Sequence, residues 1–109
     1  MKVYTFLTDG FETVEALAVI DILRRAGIEV ETVSITGNEQ VCSAQNITVK
    51  ADTLFKAQPV CKEDVLFLPG GPGHKQYNEC KPLLKLLEKH HAEGGRIAAI
   101  CAAPSILGH

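Results

Sequence analysis

Cys101 stands in the run Ala99-Ile100-Cys101-Ala102-Ala103-Pro104, directly after an apolar stretch over residues 97–100. Small residues two before and two after a nucleophile let a strand and a helix approach closely around a strained turn, the arrangement of a nucleophile elbow. Pro104 suits the first turn of the helix that follows, where a missing N–H costs nothing. A thiol at that turn lies beside backbone N–H groups, that of Ala102 among them, which favour the thiolate. Free cysteine is also among the most buried residue types, so a structural role is the competing reading.

Three other features bear on the same chemistry. Gly70-Gly71 is either a plain turn or a backbone nest whose N–H groups stabilise an oxyanion. Glu12 and Glu15 open a helix, where a carboxylate ordinarily pairs with the helix dipole. His74 follows the glycine turn and could border a crevice, whereas His90 and His91, near a helix end, read as solvated. Cys42 in a strand-like piece, Cys61 in a loop and Cys80 before a helix lack the setting of Cys101. The four cysteines form neither a Cys-x-x-Cys pair nor a Cys/His cluster, so neither a metal nor another cofactor is expected.

The elements that must position these residues follow from pattern. Residues 2–7 form an apolar β-rich run ending at Asp9-Gly10. Residues 12–26 place Val19, Ile22, Leu23 and Ala26 at helical spacing, with Arg24 and Arg25 in the last turn and Gly27 as the stop. Residues 28–35 read as a strand; residues 41–43 and 47–49 read as a hairpin. A continuous apolar strand over 64–68 breaks at Pro69-Gly70, a helix covers 82–93, and a further strand covers 96–100. Strands alternating with helices imply βαβ units, and apolar runs without alternation imply strands covered on both faces. The class is α/β: a doubly wound, mostly parallel sheet with helices on both faces. Ligands of such sheets bind beyond the carboxyl ends of the strands, where Asp9-Gly10 with Glu12 and Glu15, Gly70-Gly71, and Cys101 would converge.

A chain of 109 residues fits one small domain, and 46% hydrophobic with 22% charged residues is an ordinary globular composition. A net charge of -2 gives no reason to expect nucleic acid or an anionic membrane as partner. No apolar run approaches the roughly 20 residues that span a bilayer. The expected setting is cytoplasmic, with free thiols. A helix begun near Ala102 would have barely two turns before His109, so residues 1–109 are expected to be the N-terminal part of a single domain. The rest is then missing or supplied by a complementary C-terminal polypeptide, and the piece alone should be unstable.

Together, Gly10-Phe11-Glu12-Thr13-Val14-Glu15, Asp21-Ile22-Leu23-Arg24-Arg25-Ala26-Gly27, Leu68-Pro69-Gly70-Gly71 and Ala98-Ala99-Ile100-Cys101-Ala102-Ala103-Pro104 resemble the DJ-1/ThiJ/PfpI family of cysteine proteins. The resemblance runs in order over almost the whole chain. It implies a flavodoxin-like fold and a homodimer, with Cys101 as the reactive cysteine. It further implies that Glu15 is a glutamate that keeps its proton and hydrogen-bonds the sulfur or its sulfinate, with Gly70 and Gly71 as backbone donors. Two departures stand out: Ala103 replaces the glycine usual in close relatives, and the histidine found near the cysteine in many members has no counterpart here.

The resemblance implies an enzyme acting on small reactive aldehydes or glycated adducts, as a glyoxalase or deglycase. Cys101 would attack, Gly70 and Gly71 would hold the oxyanion and Glu15 would shuttle a proton. The alternative is an oxidative-stress sensor or chaperone whose Cys101 becomes a sulfinate. A cysteine peptidase or an amidotransferase-like protein fits less well.

Overall fold

The structure is a computed structural model that describes residues 1–56, 60–70 and 75–99. Gly71, His74, Cys101 and Ala102 lie outside the described residues, as does the short helix expected after Cys101.

The elements in chain order are β1 (Lys2–Leu7), α1 (Thr13–Arg25), β2 (Glu29–Ser34), β3 (Gln40–Cys42), β4 (Thr48–Lys50), β5 (Thr53–Leu54), β6 (Val65–Leu68), α2 (Lys75–Glu79), α3 (Lys81–Ala92) and β7 (Arg96–Ala99). Among the described residues, five strands form one sheet in the order β5-β2-β1-β6-β7, and each neighbouring pair is parallel. β3 and β4 form a separate antiparallel hairpin, Val41 opposite Val49.

The two faces follow from the period of two along each strand. Val3, Val30 and Phe67 turn one way and pack with Ile20, Leu17 and Leu23 of α1. Tyr4, Phe6, Val33, Leu66 and Leu68 turn the other way and meet Tyr77 of α2 with Leu83 and Leu87 of α3. Each such side chain contributes about 1.5–3 kcal/mol when buried, so the sheet is held from both sides, as a doubly wound fold requires. A third cluster, Leu7, Phe11, Ala16 and Val41, closes the hairpin over the start of α1. Helix α1 ends where Gly27 takes a left-handed φ of 80°, with the Gly27 N–H on Arg24 O and the Ile28 N–H on Leu23 O.

Two expectations need correction. Glu12 is not in the first turn of α1 but is its N-cap, with extended backbone and no side-chain cap bond. His90 is not solvated: at 4% exposure it continues the Leu83, Leu87 face of α3, and its Nε2 lies 2.8 Å from Asp64 O. His91 beside it is exposed. In β7, Ala98 is exposed. Finally, β5 and α2 were not foreseen from pattern. Strand β5 is two residues long and exists through its pairing with Val33 and Ser34; α2 has five residues.

Candidate functional site

The strand order reverses between β1 and β6. From β1 the chain crosses through α1 to β2 on one side, while β6 crosses through α2 and α3 to β7 on the other. A crevice forms at such a switch point because the two crossover helices depart to opposite faces. The segments after β1 and β6 therefore flank it, and both carry residues singled out by the sequence.

After β1, the chain turns at Gly10, whose φ of 87° is left-handed. The hairpin holds this turn. The Gly10 N–H donates to Cys42 O at 2.8 Å and the Ala44 N–H to Phe11 O at 2.8 Å. The Cys42 N–H donates to Asp9 Oδ1 at 3.0 Å, and the Thr13 hydroxyl to Ser43 Oγ at 2.7 Å. Glu15 follows in the first turn of α1. It is half-buried as a residue, and its Oε2 is buried.

After β6, Pro69 and Gly70 are buried. The Glu12 N–H donates to Gly70 O at 2.9 Å, which ties the two segments directly across the switch point. On the opposite face, the buried Tyr77 hydroxyl shares its proton between Phe6 O at 2.9 Å and Pro69 O at 3.2 Å. Burial pushes the Tyr77 phenol well up from its ordinary value, so it remains a donor. Beside it, the buried Thr8 hydroxyl donates to Gln76 Oε1.

Of the expected site, the segments that carry Glu15 and Gly70 are tied together beyond the ends of β1 and β6 by the bond from Glu12 to Gly70. β7 runs parallel beside β6 with Ala99 opposite Leu68, two residues before Cys101 in sequence. Pattern reading missed Thr8, Gln76 and Tyr77. The signal for Tyr77 was a single aromatic in the polar run Lys75-Gln76-Tyr77-Asn78-Glu79. An open groove of about 620 Å³, lined by Ile35, Gln76, Glu79, Cys80, Lys81 and Pro82, lies on the α2–α3 side. Among the described residues no group of three or more His, Cys, Asp or Glu is placed to hold a metal ion, and no helix is long and apolar enough to cross a membrane.

The DJ-1/PfpI family model matches residues 1–109. Protein DJ-1 homolog B of Arabidopsis thaliana is 38% identical over 106 residues, covering 96% of this chain and 24% of that protein. Glutathione-independent glyoxalase DJR-1.2 of Caenorhabditis elegans is 32% identical over 96 residues, covering 88% of this chain and 51% of that one. The solved structure of oxidized Toxoplasma gondii DJ-1 superposes with a TM-score of 0.89 at 37% identity, covering 96% of this chain and 58% of that one. The chain therefore spans between a quarter and somewhat over half the length of these relatives. A parallel sheet wound on both faces, a switch point flanked by Glu15 and Gly70, and a match along all of its residues place the chain in the DJ-1/PfpI family.

Proposed function

We propose that this protein is a cysteine-dependent enzyme acting on small reactive aldehydes or their glycation adducts, of the glyoxalase or deglycase type. The observation that carries the proposal is the Glu12 N–H to Gly70 O bond of 2.9 Å. It draws the helix turn bearing Glu15 and the glycine turn to the same strand ends toward which β7, leading to Cys101, also runs. The C. elegans relative, named as a glutathione-independent glyoxalase, supports the same class.

In this reading the Cys101 thiolate adds to the aldehyde carbon of an α-oxoaldehyde, forming a C–S bond and an alkoxide. The N–H groups of Gly70, Gly71 and Ala102 receive that oxyanion, and Glu15 supplies the proton that completes the hemithioacetal. Transfer of the C1 proton to C2, with the C1 hydroxyl proton passing to the C2 oxygen, converts the hemithioacetal to a thioester. Water then cleaves the C–S bond, releasing a 2-hydroxy acid and the free thiol. The net reaction adds one water to the substrate and needs no external oxidant or reductant. The test is formation of lactate from methylglyoxal without added glutathione. Glu15→Gln should slow turnover at least about a hundredfold; unaltered turnover in that variant would remove Glu15 from the mechanism.

A second reading, oxidation of Cys101 to a sulfinate as a stress signal, is favoured by the Toxoplasma relative having been solved in an oxidized form. The same backbone donors that would receive an oxyanion would also receive sulfinate oxygens.

A further inference from the structure

We propose that Tyr77 is a positioning residue for this site, setting the orientation of the Pro69-Gly70 turn through the two carbonyls its hydroxyl holds. The proposal rests on the aldehyde-processing reading only for its kinetic consequence. Its structural content stands by itself.

The ladder between β1 and β6 runs from Val3 opposite Val65 to Thr5 opposite Phe67. Beyond that pair the two strands end their pairing, and the carbonyls of Phe6 and Pro69 both turn to the Tyr77 hydroxyl, at 2.9 and 3.2 Å. Buried carbonyls require a donor, and Tyr77 supplies one from outside the sheet. The ring is fully buried among Phe6, Leu68 and Leu83, so the hydroxyl has little freedom to leave. A second tie, from the Thr8 hydroxyl to Gln76 Oε1, joins the same helix to the segment after β1.

The consequence falls on Gly70, the next residue after Pro69. The Pro69 carbonyl and the Gly70 N–H belong to one peptide plane, because the bond joining them has partial double-bond character. Fixing the Pro69 oxygen therefore fixes the direction in which the Gly70 N–H points. On the other side of the same residue, Gly70 O is held by the Glu12 N–H at 2.9 Å. Tyr77 and Glu12 thus grip Gly70 from either flank, one through α2 and one through the start of α1. An oxyanion donor is effective when it is aimed before the charge develops. Tyr77 never touches substrate in this account, since it is buried beneath the turn.

Tyr77→Phe removes one oxygen and keeps the ring that fills the core. The experiment measures the backbone amides of Gly70 and Glu12 by NMR in the full-length protein, beside steady-state kinetics with methylglyoxal. Expected in Tyr77→Phe are a displaced Gly70 amide resonance, about tenfold faster hydrogen exchange at the Glu12 amide, and kcat about tenfold lower with KM within twofold. Val30→Ala, at the far end of β2 in the other cluster, should lower stability without moving either amide. Wild-type resonances and exchange at both amides in Tyr77→Phe would overturn the proposal, as would moved amides with unchanged kcat in an active enzyme. If the amides move as expected but the wild-type protein turns over no aldehyde, the positioning of the turn is upheld and the aldehyde reading is what falls.

Discussion

The backbone amide of Glu12 donates to the carbonyl of Gly70 at 2.9 Å, although the residues are far apart in sequence and come from different strand ends. The bond turns two local features, an N-cap and a glycine turn, into one structural unit at the switch point of the sheet. The Glu12 side chain makes no cap bond, so its backbone is what matters.

Glu12→Pro tests that unit. The Glu12 φ of -78° is one that proline accepts, but the ring replaces the donated hydrogen with a carbon aimed at Gly70 O. The two turns should separate, costing about 1–3 kcal/mol for the lost bond and exposed carbonyl. Turnover should fall about a hundredfold from misplacement of the reacting groups. Glu12→Ala should stay within twofold of wild type. Equal activity in the two variants would show that the bond has no part in arranging the site.

Gly95→Ala should unfold the protein at markedly lower denaturant. A Cβ at Gly95 would lie 2.2 to 2.4 Å from ring atoms of His90, and that ring is buried with Nε2 against Asp64 O at 2.8 Å. The ring cannot yield without abandoning both its packing and its partner, a cost of about 2–4 kcal/mol. A urea midpoint unchanged from wild type would contradict the placement of His90.

Stability should decline above about pH 10, measured as urea midpoints across the alkaline range. Burial raises Tyr77 and Tyr4 above the ordinary 10.0. Lys2 rises from 10.5 to about 12, chiefly through its hydrogen bond to Glu31. Groups raised on folding stay protonated in the folded protein while the unfolded chain loses its protons. Their contribution is therefore complete below the unfolded values and drains away as pH climbs toward the folded ones. Tyr77 alone gives a slope of up to about 1.4 kcal/mol per pH unit, and Tyr77→Phe should flatten the decline. A midpoint that rises with pH above 10 would reverse the sign of this account.

Dilute peroxide should oxidise Cys101 before Cys42, Cys61 and Cys80, followed residue by residue by peptide mass spectrometry. Cys61 is exposed, while Cys42 and Cys80 are half-buried. Accessibility alone would therefore put Cys61 ahead of both, whereas the proposed nucleophile should outrun all three. Oxidation of Cys61 first would mean that exposure, not activation, governs these thiols.

The extent to which pattern revealed this molecule depends on how local each signal is. α1 and α3 were legible because apolar spacing, end charges and the closing Gly27 and Gly94-Gly95 all lie within the segment concerned. β1, β2, β6 and the 40–50 hairpin were legible from β-rich runs punctuated by turn residues. β5 was not, since two residues carry no period and become a strand through partners on β2. His90 was misread because its dipole-favoured position near a helix end masked its place on the Leu83, Leu87 stripe. Within the site, Gly70 was marked by its place after an apolar strand, whereas Glu12 and Glu15 look alike at the start of a helix and only the family resemblance separates them. Tyr77 was not marked, because its hydroxyl answers to Phe6, 71 positions away, and nothing in its immediate neighbours announces that carbonyl.

The most direct test of the central claim is glutathione-free consumption of methylglyoxal by the full-length protein and its Cys101→Ser variant, with lactate as the measured product. The account predicts lactate from wild type and a loss of at least about a thousandfold in Cys101→Ser, because a serine hydroxyl is a far weaker nucleophile than a cysteine thiol. Lactate formation by Cys101→Ser at the wild-type rate would contradict it.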